Sequence, residues 1–125
     1  MPTPNFIILY VDDPQKSAAF YQEIVGREPV ESSPGFAMFV LDNGFKLGLW
    51  LRPEVEPKAT DTGSNAELVF ALENNEAVDK AHADWAGKGR TIVQTPTDMD
   101  FGYTFTALDP DGHRLRVYCV AENPV

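Results

Sequence analysis

Two stretches of alternating polar and apolar residues echo one another along this chain. One runs Leu41-Asp42-Asn43-Gly44-Phe45-Lys46-Leu47-Gly48-Leu49-Trp50, the other Leu108-Asp109-Pro110-Asp111-Gly112-His113-Arg114-Leu115-Arg116-Val117-Tyr118. Each opens on an Asx-Gly turn, where glycine supplies the backbone freedom a tight reversal needs. Each continues with a two-residue period, so each predicts a strand with two different faces. Leu47, Leu49 and Leu51 share one face of the first, with Lys46, Gly48 and Trp50 on the other. Leu115, Val117 and Cys119 share one face of the second, with Arg114, Arg116 and Tyr118 opposite. The aliphatic faces are expected to pack under helices, leaving the mixed faces for function.

The remaining pattern supplies the partners of these strands. Phe6 to Val11 is continuously apolar and predicts a strand. Asp13 and Pro14 predict a capped helix start, Phe20, Tyr21, Ile24 and Val25 its apolar face, and Gly26 its stop. Short strands follow at Glu28 to Glu31 and Phe36 to Leu41, with a turn at Ser32 to Gly35 between them, then the strand Phe45 to Leu51. Arg52 to Asn65 has no period and reads as a loop. The pattern then restarts: a strand at Glu67 to Leu72, and a helix capped by Asn75 with Val78, Ala81, His82 and Trp85 at helical spacing. Gly87-Lys88-Gly89 ends that helix, and strands follow at Thr91 to Gln94, Phe101 to Leu108 and His113 to Val120. The order β-α-β-β-β thus occurs twice, a sign of a repeated module. The halves superpose with a shift of 61 residues at Val11 and Leu72 and of 68 at Leu47 and Leu115, which places extra length in the second half around Thr95 to Asp100. We expect an α+β fold of two such modules in a single domain spanning 1–125, at about 5–52 and about 65–121, joined by a linker at about 53–64. Curved sheets of this kind would form an open, barrel-like cleft.

Composition narrows the partners. The formal net charge is −9 over 125 residues, which argues against nucleic acid and anionic membranes, since both reward a basic face. No apolar run is long enough to span a bilayer. The N-terminal residues lack the basic and apolar regions of a signal peptide, and Cys119 is the only cysteine, so a reducing cytoplasm is the expected compartment. Cys119 lies among apolar neighbours and reads as a buried structural thiol.

Two segments carry a family resemblance. Tyr10-Val11-Asp12-Asp13-Pro14-Gln15-Lys16-Ser17-Ala18-Ala19-Phe20-Tyr21 is similar to the first strand and helix of the vicinal oxygen chelate superfamily of glyoxalases, bleomycin-resistance proteins and dioxygenases. Leu108-Asp109-Pro110-Asp111-Gly112-His113 resembles that superfamily's late turn. The resemblance implies paired β-α-β-β-β modules, usually as a homodimer in chains of this length. It also implies, for the family's enzymes, a divalent metal held by the first and last strand of each module. The matching positions here are Phe6, Gly48, Glu67 and Arg116. Only Glu67 is a ligand type, and Arg116 would put a fixed positive charge where a cation sits. His82 and His113, on a helix and in a turn, do not replace the missing ligands. No metal and no cofactor is expected.

Within the superfamily the chain is most similar to drug-binding resistance proteins, especially those directed at phenazine antibiotics. The similarity lies on Tyr10-Val11, Phe20-Tyr21, Glu28-Pro29-Val30, Trp50, Phe101-Gly102, Thr104-Phe105 and Asp109 to His113 with Arg116-Val117. It implies non-catalytic binding and sequestration of a planar aromatic small molecule. The alternative is an enzyme of the same superfamily, a lyase, isomerase or dioxygenase, with an atypical or metal-free site using Glu67. The expected ligand-binding residues are Trp50, Gly48, Phe36, Phe39, Tyr103, Arg116, Tyr118 and Glu67. Trp50 is the expected stacking wall, and Gly48 removes a side chain beside it. Glu67 and Arg116 are expected to pair, because either charge alone would be costly to bury. Arg116 binding a ligand carboxylate, or Glu67 acting as a base, are the sharper alternatives.

Overall fold

The computed structural model describes residues 3–56, 58–59 and 66–121. By contact density the chain divides into two compact units, residues 1–62 and 63–125.

In the first unit the chain runs β1 (Phe6–Val11), α1 (Pro14–Val25), β2 (Glu31–Ser32), β3 (Phe36–Val40) and β4 (Lys46–Leu51). The sheet order is β1-β4-β3-β2, with β1 parallel to β4 and the other pairs antiparallel. Helix α1 starts where Asp13 Oδ1 accepts from the N–H groups of Gln15 and Lys16, at 3.0 and 3.2 Å. It stops at Gly26, which takes φ 71° and donates its N–H to the Gln22 carbonyl. The stripe that α1 buries is Pro14, Ser17, Ala18 and Tyr21. Of the expected apolar face, Tyr21 is fully buried, whereas Phe20, Ile24 and Val25 are only half-buried. Tyr21 packs with Val11, Ala37, Phe39, Leu47 and Leu49 as the buried core of this unit. Each large side chain so buried contributes about 1.5–3 kcal/mol. The strand expected at Glu28 to Glu31 is reduced to Glu31–Ser32, because only those two residues pair with β3.

The second unit repeats the plan with β5 (Glu67–Ala71), α2 (Asn75–Gly87), β6 (Ile92–Met99), β7 (Gly102–Leu108) and β8 (Arg114–Val120), in sheet order β5-β8-β7-β6. Its parallel pair again joins the first and last strands. Phe6 lies beside Lys46 in one sheet and Glu67 beside Arg114 in the other, which are the same shifts of 61 and 68 residues. The extra length of the second half is β6, which runs on through Met99 with register shifts against β7. Asn74, not Asn75, caps α2: its side chain accepts from the Ala77 N–H at 2.8 Å, and Asn75 is the first helical residue. Trp85 is buried in this core, edge-on to Phe70 and Phe105.

After β4, within the first unit, a short 3-10 turn covers Arg52–Glu54. Most of the rest of the expected linker, residues 57 and 60–64, lies outside the described residues. Among the described residues no helix is long and apolar enough to cross a membrane.

Candidate functional site

Strand pairing turns the mixed faces into two grids of side chains. In the first unit β4 is flanked by β1 and β3. Lys46 sits between Phe6 and Val40, Gly48 between Ile8 and Met38, and Trp50 between Tyr10 and Phe36. Every member except Lys46 is apolar or aromatic. Phe6, Ile8 and Tyr10 remain 38%, 40% and 38% exposed, so this aromatic face is open rather than a packed interior. Trp50 meets both neighbouring rings edge-on, Tyr10 at 6.5 Å and Phe36 at 6.4 Å between centroids. Such pairs add about 0.5–1.5 kcal/mol beyond burial.

Gly48 has a more specific role than leaving a gap. A Cβ there would lie 2.9 Å from Phe6 Cε1 and 3.1 Å from Phe36 Cζ. The two rings lean across the glycine and floor the centre of the face. Gly48→Ala is expected to push both rings outward at a cost of about 1 kcal/mol, since each is the mobile end of its side chain. Urea unfolding would measure the cost, and aromatic NMR shifts of Phe6 and Phe36 the displacement.

In the second unit the equivalent face is polar. Glu67 and Arg114 share a row, then Val69, Arg116 and Thr106, then Ala71, Tyr118 and Thr104. Arg116 donates from Nε and Nη2 to the two oxygens of Glu67, at 2.7 and 3.0 Å. Its Nη1 donates to Gln94 Oε1 at 3.1 Å and to Thr104 Oγ1 at 3.2 Å. Thr106 also donates to Gln94 Oε1, at 3.0 Å, and Thr104 donates to the Val117 carbonyl. Phe101 covers the guanidinium at 5.6 Å and meets Tyr118 edge-on at 5.9 Å. The hydrogen bonds and charge of Arg116 hold the Glu67 carboxyl below the usual carboxylate range, against the opposing effect of burial.

The expected site residues therefore sort by face. Trp50, Gly48 and Phe36 come together in the first unit, and Glu67, Arg116 and Tyr118 in the second. Phe39 does not join them. It pairs with Leu47, points to the helix side and is fully buried. Tyr103 also lies off the polar face: its hydroxyl donates to Asp79 Oδ1 on α2 at 2.6 Å, and that bond pushes its pKa up. Gln94, Thr104, Thr106 and Phe101 were absent from the expected set. The alternation Thr104-Phe105-Thr106-Ala107 carries a signal for the threonines. Gln94 carries none, because the register shifts in β6 reset which residues face Arg116.

The four positions implied for a metal do not fit one. Phe6 and Gly48 offer no side-chain donor, both oxygens of Glu67 are engaged by a guanidinium, and Arg116 is itself that cation. Asp109, Asp111 and His113 bring three donor atoms within 4.8 Å of one another. That grouping is the turn's own bonding: Asp109 Oδ1 accepts from the Asp111 and His113 N–H groups, and Oδ2 lies 2.7 Å from His113 Nδ1. His82 packs edge-on against Phe105, and the Cys119 thiol donates to Asn75 Oδ1 at 2.7 Å. A cavity of about 360 Å³ beside the start of α2 is lined by Asn74, Asn75, Met99 and Cys119 among others, and by none of the expected site residues.

Comparison with known proteins agrees with the repeated topology. The chain is 32% identical over 118 residues to the phenazine antibiotic resistance protein EhpR of Enterobacter agglomerans, covering 92% of this chain and 90% of that protein. It is 56% identical to protein ATC0852 of Agrobacterium tumefaciens, solved in solution by NMR, with a TM-score of 0.88 over 97% of this chain and 99% of that one. A glyoxalase-related enzyme from Fulvimarina pelagi, 24% identical, shares the fold with a TM-score of 0.82 over 100% of this chain and 91% of its own. The model of the glyoxalase/bleomycin resistance protein/dioxygenase superfamily matches residues 3–117. The chain belongs to that superfamily.

Proposed function

We propose that this protein confers antibiotic resistance by binding and sequestering a planar aromatic small molecule, without converting it, as a cytoplasmic homodimer. The observation that carries the reading is the open aromatic face of Phe6, Ile8, Tyr10, Phe36, Met38 and Trp50, floored by rings over Gly48. A flat ring system laid there removes apolar surface from water on both sides of the contact and stacks on indole or phenyl. The likeness to a phenazine resistance protein supports the same ligand class. The catalytic alternative is weaker. A base must hold its lone pairs free near the proton it takes, and Glu67 gives both oxygens to Arg116, with its basicity lowered as a result.

The test is titration with phenazine, followed by the quenching of tryptophan fluorescence, with mass spectrometry of the recovered compound. Saturable binding and unchanged compound are expected. Trp50→Ala should weaken binding more than tenfold, whereas Trp85→Phe, in the core, should leave the affinity near that of the parent. Conversion of the ligand at catalytic rates, or an affinity indifferent to Trp50→Ala, would overturn the reading.

A further inference from the structure

Three cations sit at the centres of rows in the two grids, Lys46, Arg114 and Arg116, and they are committed differently. Arg116 spends its Nε, Nη1 and Nη2 donors on Glu67, Gln94 and Thr104. Lys46 has no carboxylate within 4.0 Å among the described residues, although the chain carries 19 acidic side chains. Its ammonium lies 5.7 Å from the centre of the Phe6 ring, and its row partners are Phe6 and Val40. Its counterpart in the other sheet, Arg114, lies 3.9 Å from Glu67 Oε2. Among the described residues, Lys46 is therefore a half-buried positive charge with no carboxylate beside it, at one end of an otherwise apolar face.

We propose that the ligand of the aromatic face is an anion, a planar aromatic carboxylate whose rings lie against Trp50 and Phe36 and whose carboxylate is taken by Lys46. This rests on the aromatic-ligand reading above and adds the ligand's charge to it. A neutral ring system laid over the face would strip water from the ammonium and return nothing for it. A cationic one would be repelled. An aromatic acid supplies the hydrogen-bonded counter-charge, and such charge-assisted contacts are stronger than neutral ones. The span also suits it. Lys46 and Trp50 lie four residues apart on one strand, about 13 Å, comparable with a three-ring acid and the reach of a lysine side chain. Lys46 is thus a specificity-determining residue, and Arg116 is not the anion receptor.

The test compares acridine-9-carboxylate with acridine-9-carboxamide, which differ in charge but hardly in shape. Calorimetric titration at pH 7.5 is expected to show the carboxylate binding at least fivefold more tightly, with the preference shrinking as salt is raised from 50 to 500 mM. Lys46→Met should abolish the preference from both sides, weakening the carboxylate, which loses its counter-charge, and strengthening the carboxamide, which no longer strips water from an ammonium. Lys46→Arg should retain most of it. Trp50→Ala should weaken both probes together. Equal affinity of the parent protein for the two probes, or a preference that survives Lys46→Met, overturns this inference alone. Failure of both probes to bind the parent protein overturns the aromatic-ligand reading, and this inference with it.

Discussion

Gly102→Ala is expected to destabilise the protein by about 3–5 kcal/mol, a large effect for the addition of one methyl group. Gly102 opens β7 at φ 149°, a backbone conformation L side chains rarely adopt. A Cβ there would lie 1.9 Å from the Cys119 carbonyl oxygen and 2.9 Å from its carbon. That oxygen belongs to the main chain of β8, where Cys119 pairs with Tyr103 and Val120 with Gly102, so it cannot swing aside as a side chain would. The sheet must open at the end that carries Phe101, whose carbonyl accepts from the Ala121 N–H. Gly112→Ala is the control. Gly112 has φ 88°, but its added methyl group would meet nothing within 4 Å, so it isolates the backbone term, about 1 kcal/mol. Thermal unfolding should show Gly102→Ala melting about 10 °C or more below the parent, and Gly112→Ala only a few degrees below. Equal shifts for the two would mean that the close approach to Cys119 does not matter.

The halves were legible because a two-residue period survives in both late strands. Lys46, Gly48 and Trp50 alternate with leucines, and Arg114, Arg116 and Tyr118 alternate with Leu115, Val117 and Cys119. Strand register then follows from the hydrophobic pattern, because a one-residue slip would turn Leu47 and Leu49 to the open face. The Glu67–Arg116 contact was legible for a different reason: two opposite charges on faces expected to be half-buried need one another. Phe39 and Tyr103 were assigned by side-chain type, and type carries no direction. Phe39 is opposite Leu47 in the ladder, and that pairing puts it in the core. Gln94 was hidden by the irregular pairing of β6, where no period connects it to Arg116. Lys46 was visible on the right face, but that no described acidic side chain lies beside it depends on where the carboxylates end up in three dimensions.

Arg116→Met is expected to destabilise the protein by about 2–3 kcal/mol at pH 7, most of it from what is left behind. The Arg116 and Glu67 side chains are only 16% and 28% exposed, so removing the guanidinium leaves a largely desolvated carboxylate without its partner. It also leaves Gln94 Oε1 and Thr104 Oγ1 without the Nη1 donor. Replacing both charges, as in the double variant Glu67→Leu/Arg116→Met, should restore most of the loss, because apolar groups of similar volume incur no such desolvation penalty. The pH dependence has a definite sign. Hydrogen bonding to Arg116 lowers the folded-state pKa of Glu67, so the unfolded chain takes up this proton first as acid is added. The contribution of the pair is therefore complete above the unfolded value, about 4.3, and is lost as pH falls through the folded value. The stability gap between the parent and Arg116→Met should be widest at pH 7 and shrink as acid protonates Glu67. This happens first in the variant, where the carboxyl has lost the guanidinium that holds its pKa down and a protonated Glu67 no longer carries an unpaired charge. Urea unfolding from pH 3 to pH 7 would trace it. A gap unchanged across that range would place the value of Arg116 in packing against Phe101 and Thr104 rather than in its charge, since packing does not titrate.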